Sequence, residues 1–267
     1  MYAGPPGSGG FITFPGGGFI ADPKSSVTAP SPPGQTSPTP PGYGPAYPGL
    51  AYDRQYSRWV PVSYRQLSED GSHYAFLSGS SVFAVAVATN APQQLGAGQS
   101  WVIIDVKNEG VYASKPNTGG LWLLTYDGAA HQLSASGYWQ AVGGGAAYGT
   151  ATSAVPSGVA NTIIRFDLRS SSTTEWFTRP GQISIAEGFD TNGAAIVYSN
   201  QQVWLVSSPT SAHLLDDSGR GGTYVNGPPI ADKNGIWFSG NGIDLLVPNV
   251  AIYGVSTYGA QLAGGCS

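Results

Sequence analysis

The sequence predicts an all-β chain folded as a β-propeller of five four-stranded antiparallel blades, with six blades as the alternative count. Three observations predict it. A polar Asx-Gly turn followed by an aromatic strand recurs five times at near-regular spacing. Strand-forming runs flank each copy in the same order. No long apolar pattern of period 3.6 occurs, so helices are expected to be few.

The strongest copy of the step is Ser68-Glu69-Asp70-Gly71-Ser72-His73-Tyr74-Ala75-Phe76. The others are centred on Gly110, Gly145, Gly193 and Gly235, and the five glycines lie 39, 35, 48 and 42 residues apart. That spacing is close to the roughly 40–45 residues of a four-stranded blade. Before each turn lies a strand candidate: 59–67, 101–106, 138–142, 183–187 and 224–230. After each aromatic strand lies a third, apolar at consecutive positions, as in Val82-Phe83-Ala84-Val85 or Val203-Trp204-Leu205-Val206. Such a run suits a strand covered on both faces. Short polar outer strands close each unit: 93–95, 131–133, 175–177, 213–215 and 261–262. Their polarity suits an edge that must not recruit another chain.

The stretch 68–76 resembles the Ser-Pro-Asp-Gly…Ala-Phe/Tyr signature of TolB-type, WD-like β-propeller repeats, with Glu69 standing where the family has proline. The other four copies share only the Asx-and-glycine character. The resemblance implies the fold and no particular activity, because such repeats serve unrelated functions.

Residues 1–50 are compositionally distinct and hold 12 of the 21 prolines. The part at 30–48 reads as an extended, solvated linker. Residues 11–21, with Phe11, Ile12, Phe14, Phe19 and Ile20, are too apolar for an idle tail and form a candidate ring-closing strand. The domain reading is therefore a Pro/Gly-rich segment at 1–50 and a propeller at 51–267.

Only 10% of the 267 residues are charged, and the net charge is −4. No Lys/Arg cluster exists to neutralise phosphates, so nucleic acid is not an expected partner. No apolar run of about 18 residues suggests a membrane span. Cys266 has no partner within the chain, which excludes an internal disulfide and a cysteine metal site. His131 and His213 fall on outer strands, away from any ring axis, and are expected to be solvent-exposed. With no metal-binding, phosphate-binding or nucleophile-elbow motif, neither a metal nor a cofactor is expected. No signal peptide is visible at the N-terminus. Low charge with abundant Gly, Ser, Thr, Trp and Tyr nevertheless reads as an exported protein, extracellular or in the cell envelope.

Two sets of residues are candidates for function. Asp105 and Glu187 fall on inner strands, where propeller hydrolases place carboxylates, with Tyr64, Arg65, Gln140 and Asn226 in comparable positions. Two carboxylates about 5–9 Å apart could run acid/base glycoside chemistry. The second set belongs to the face carrying the loops between second and third strands and the links between blades. There Lys115, Asn117, Arg179, Asp216, Arg220 and Asn241 would gather beside Trp101 or Tyr138. Polar groups beside an aromatic platform suit a hydroxyl-rich ligand. Asp70, Glu109, Asp190 and Asp232 belong to turns, where short polar side chains fold back on their own backbone. The functional expectation is a non-catalytic binding or scaffold propeller for an unidentified carbohydrate or protein ligand. The alternative is a carbohydrate-active hydrolase or lyase using the inner-strand carboxylates.

Overall fold

A computed structural model of the chain describes residues 1–4, 9–27, 30, 49–97, 100–151, 161–180, 184–217, 227–247, 251–257 and 259–265. Six antiparallel sheets succeed one another around a central axis, each a blade running from an inner to an outer strand. The second blade holds Val102–Lys107, Gly110–Lys115, Gly119–Thr125 and Ala130–Ser134. The third holds Tyr138–Gly143, Ala146–Thr150, Thr162–Asp167 and Ser172–Thr178, and the fourth Ser184–Phe189, Ala195–Ser199, Gln202–Ser208 and Ser211–Asp216. The fifth comprises Ile230–Asp232, Gly235–Ser239, Ile243–Val247 and Ala251–Ser256.

Two blades depart from the repeat read in the sequence. The first has three full strands, His73–Ser78, Ser81–Ala86 and Ala91–Gly96, extended inward only by a bridge from Leu67 to Tyr74. The inner strand expected over 59–67 does not form. Pro61 cannot donate to a ladder, and a single 3-10 turn occupies Tyr64–Gln66. Arg58–Val60 pairs instead with Ala51–Asp53 as a separate hairpin. The sixth blade is built from both chain ends, in the order Gln261–Gly264, Tyr2–Gly4, Gly10–Ile12, Phe19–Ala21. The count is therefore six rather than five. The run at 261–262, expected as the outer strand of the fifth blade, is the innermost strand of the sixth.

Most apolar clusters join neighbouring blades. Ala75, Val82 and Leu95 of the first pack with Trp101, Val111 and Leu124 of the second. At the closure, Met1, Ala3, Ile12 and Leu262 pack on Trp237, Ile243 and Leu245 of the fifth. The hairpin wedges between the sixth and first blades: Trp59 meets Leu50 and Ala263, while Ala51 and Val60 meet Tyr74 and Val85. Tyr2 stacks on Tyr52 at 4.1 Å. Trp59 Nε1 donates to Asp22 Oδ2 at 2.9 Å, tying the N-terminal segment to the hairpin.

The most continuously buried strands are the second ones, not the third. Ala146–Thr150 and Ala195–Ser199 are buried at every position. Small residues recur where a neighbouring strand of the same blade comes close. A Cβ on Gly149 would lie 2.2 Å from the Tyr138 carbonyl oxygen. Outer strands are mostly exposed, and His131 and His213 on them are exposed too.

The five repeat glycines sit at the start of the second strands or in the turns just before them, on one face of the ring. Their φ values are 69°, 154°, 74°, 81° and 142°, a region that side chains with a Cβ rarely adopt. The acidic turn residues mostly behave as Asx caps. Asp190 Oδ1 accepts from the Asn192 and Ala194 amides at 2.9 and 2.8 Å, and Asp232 Oδ1 from the Asn234 amide at 2.8 Å. Glu109, with its longer arm, instead accepts from the Tyr112 hydroxyl at 2.8 Å. No helix of the described residues is long and apolar enough to cross a membrane.

Candidate functional site at the channel mouth

The inner strands of the second, third and fourth blades each carry one residue more than the strand they pair with. The extra residues are Ile104, Gln140 and Glu187, at the register shifts of their ladders. A bulge re-aims its side chain and bends the strand. Two of the three re-aimed residues are polar, and they stand on adjacent blades.

A polar network crosses these strands. Arg65, in the 3-10 turn of the first blade, donates from Nε and Nη2 to Asp105 Oδ2 at 3.3 and 3.0 Å. Its Nη2 also donates to the Gln140 carbonyl oxygen at 2.6 Å. The Val142 amide donates to the same Asp105 oxygen at 3.1 Å. Gln140 Oε1 in turn accepts from the Ala186 amide at 2.9 Å, next to Glu187. Asp105 and Lys107 alternate along one strand and so share a face. Lys107 Nζ lies 3.6 Å from Asp105 Oδ1 and 3.0 Å from Glu69 Oε1. Arg65 thus links three blades at once.

A cavity of about 260 Å³ opens here, on the turn face of the ring. Its lining includes Asp53, Arg54, Tyr64, Arg65, Glu69, Asp70, Asp105, Lys107, Glu187 and Asp190. Six of the chain's 15 acidic residues and three of its 11 Lys and Arg residues meet at this one place. In a chain so poor in charge, that concentration singles the cavity out.

The electrostatics are uneven. Burial would push Lys107 down, but the Asp105 and Glu69 carboxylates outweigh it and hold the ammonium above its ordinary value. Burial pushes Glu187 up, only partly offset by Arg65. Glu187 has no hydrogen-bond partner among the described residues. Burial likewise pushes Asp53 up, against the amides of Tyr56 and Gln55, which donate to Oδ1 at 3.2 and 2.9 Å. Asp53 Oδ2 is buried without a partner. Tyr64 opens onto the cavity but is enclosed by its walls, which raises its phenol.

A raised carboxylate is a stability liability once it ionises. Its favourable protonated form is fully present below the ordinary value of 4.5 and is lost as pH rises through the higher folded value. Glu187→Gln is therefore expected to melt a few degrees above the parent at pH 7. The gap should shrink as the pH falls towards 4.5. Melting curves from pH 4 to 8 check it, and a variant that melts lower at pH 7 would contradict it.

Asp105 and Glu187 line the same cavity, but they are not alike. One is held by three donors and a nearby ammonium, whereas the other is unpaired. Lys107, Asp53 and Asp190 belong to the cavity and were not singled out for it in the sequence. The available signal was charge scarcity combined with the two-residue spacing of Asp105 and Lys107.

The other candidate set is dispersed over the opposite face. Lys115 Nζ sits over the Trp122 and Trp101 rings at 4.4 and 5.3 Å, and Trp101 is buried. The Arg179 guanidinium lies 3.8 Å from the Trp204 ring centre. Both cations therefore clamp neighbouring strands by cation–π contact. Tyr138 is half-buried, Asp216 buried, and Asn117 and Asn241 exposed. A groove of about 500 Å³ beside Asn241 and Asp244 runs along the rim of the fifth blade. Arg220, Asn226, Cys266 and the expected linker at 31–48 lie outside the described residues. No group of three or more potential metal ligands occurs among the described residues.

No protein-family model matches the chain, and no curated protein matches its sequence. Solved structures do match its fold. A catalytically inactive virginiamycin B lyase from Staphylococcus aureus with quinupristin is 16% identical, with a TM-score of 0.52, over 72% of this chain and 68% of that one. A streptogramin B lyase structure is 9% identical, also at 0.52, over 73% of this chain and 71% of that one. At such identities the likeness is one of fold alone, and the TolB-type, WD-like resemblance gains no family from it. The chain is an all-β propeller of six blades.

Proposed function

We propose that this protein is a non-catalytic binding propeller whose ligand site is the cavity at the turn-face mouth of the channel. The observation that carries the reading is the gathering of nine charged side chains around one cavity, in a chain where charge is otherwise sparse. Perturbed, unpaired carboxylates in a concave site mark a place shaped for something other than stability. Export to the cell surface or envelope remains part of the proposal on compositional grounds.

The hydrolase or lyase alternative keeps one element, Glu187, whose raised affinity for a proton suits a general acid. It lacks the second. Asp105 Oδ2 is held by three donors and its Oδ1 faces the Lys107 ammonium at 3.6 Å, an environment that lowers its nucleophilicity.

A glycan array and a thermal-shift screen of small polar compounds test the reading, with variants on both faces as controls. Hits are expected to lose affinity in Glu187→Gln by about tenfold and to be unaffected by Asn117→Ala combined with Asn241→Ala. The reverse pattern would move the site to the long-loop face. Turnover of a hit by the parent and not by Glu187→Gln would favour the enzyme.

A further inference from the structure

We propose that the mouth cavity takes a small organic cation, a primary amine or diamine, through the carboxylate of Glu187, with the buried Asp53 in its wall adding negative charge. The inference rests on the reading of this cavity as a binding site and names its ligand class.

The charge lining the cavity is not balanced from within. Six carboxylates and three cations line the cavity, a formal balance of −3. Two of the cations are spent internally, Arg65 on Asp105 and Lys107 on Glu69 and Asp105. The third, Arg54, is exposed. Asp70 and Asp190 are consumed by their own turns: Asp70 Oδ1 accepts from the Ser72 amide at 2.9 Å, and Asp190 caps as described. Glu187 and one oxygen of Asp53 are left over, since Asp53 Oδ1 also caps its own turn through the Gln55 and Tyr56 amides. Asp53 is 1% exposed, and its Oδ2 is buried without a partner. Glu187, projected by its bulge, has no hydrogen-bond partner among the described residues.

The cations near them do not offset burial: Arg65, engaged with Asp105, acts on Glu187, and Arg58 acts on Asp53. A carboxylate so placed is costly, and the cost is recovered by whatever brings a positive charge and N–H donors. A neutral polyol would supply donors but no charge. An anion would meet a negative surround. An ammonium supplies both, and the Tyr64 ring in the cavity wall adds an aromatic face of the kind that attracts cations. The volume of about 260 Å³ lies just under the span usual for drug-sized ligands, which suits a short aliphatic amine.

Isothermal titration calorimetry on the full chain tests this with three probes of matched length: 1,4-diaminobutane, 1,4-butanediol and succinate. The diamine is expected to bind, and the diol and diacid to bind at least about tenfold more weakly. Glu187→Gln, with its fold verified by melting, is expected to weaken diamine binding by about tenfold or more. Added salt should weaken binding to the parent. Equal affinity for diamine and diol, undiminished affinity in Glu187→Gln, or no diamine binding would each overturn the amine class. Neutral hits that still depend on Glu187 would then leave the cavity standing as a site for another ligand. If no compound of any class depends on Glu187, the binding reading falls with it.

Discussion

Removal of residues 1–22 is expected to abolish the cooperative melt or to lower it by about 10–20 °C, the largest effect of any change considered. The deletion takes three of the four strands of the sixth blade and leaves Gln261–Gly264 without its partner. It removes Met1, Ala3 and Ile12 from the core shared with the fifth blade, and so uncovers Trp237, Ile243, Leu245 and Leu262. It also removes the Tyr2–Tyr52 stack and the Asp22 acceptor of Trp59. Each large apolar side chain lost from the interface is worth roughly 1.5–3 kcal/mol. Together these approach the total stability of about 5–15 kcal/mol that holds a native domain together. Calorimetry of the deleted and full chains decides it. An unchanged melt would mean that the ring does not close through its N-terminal strands.

The second large effect is expected from Arg65→Met. Removing the guanidinium leaves Asp105 with the Val142 amide and the Lys107 ammonium at 3.6 Å. It also strips the Gln140 carbonyl of its side-chain donor. Breaking a buried ion pair from one side typically costs about 3–5 kcal/mol, and the two remaining contacts place this case near the lower end. The double variant Arg65→Met with Asp105→Leu should recover much of the loss, because the penalty comes from the stranded charge. Denaturant unfolding of both variants separates the outcomes. If Arg65→Met costs less than about 1 kcal/mol, the pair behaves as an exposed surface bridge and the three-blade network contributes little.

Much of the fold was legible because the repeat has a mechanical cause. Gly71, Gly110, Gly145, Gly193 and Gly235 recur because the inner turn needs positive φ, and Asp190 and Asp232 recur beside it as caps. Of the apolar residues at 11–21, Ile12 is buried against the fifth blade, whereas Phe14 and Ile20 are exposed. What escaped was non-local. Nothing in Gln261-Leu262-Ala263 states whether its partner is the strand before it or Tyr2–Gly4, and that choice separates five blades from six. The hairpin at 51–60 was readable in part, since Pro61 interrupts the run that was expected to continue to Leu67.

The site divides in the same way. Asp105, Arg65 and Glu187 stood out as charges on inner strands, but their unequal condition depends on bulges at Gln140 and Glu187 that leave no local mark in the sequence. Lys115 and Arg179 looked like free polar groups near aromatics. Their partners, Trp122 and Trp204, come from other strands, and the cations pack onto them. Residue type indicated chemistry, while register decided which groups remain available for a ligand.

Hydrogen exchange with and without a saturating hit from the screen most directly tests whether the channel mouth is the binding site. Protection is expected to rise in peptides covering residues 52–55, 105–107 and 187–190, with residues 115–119 and 239–242 on the opposite face unchanged. Protection confined to 115–119 and 239–242 would contradict the account and place the ligand among the long loops.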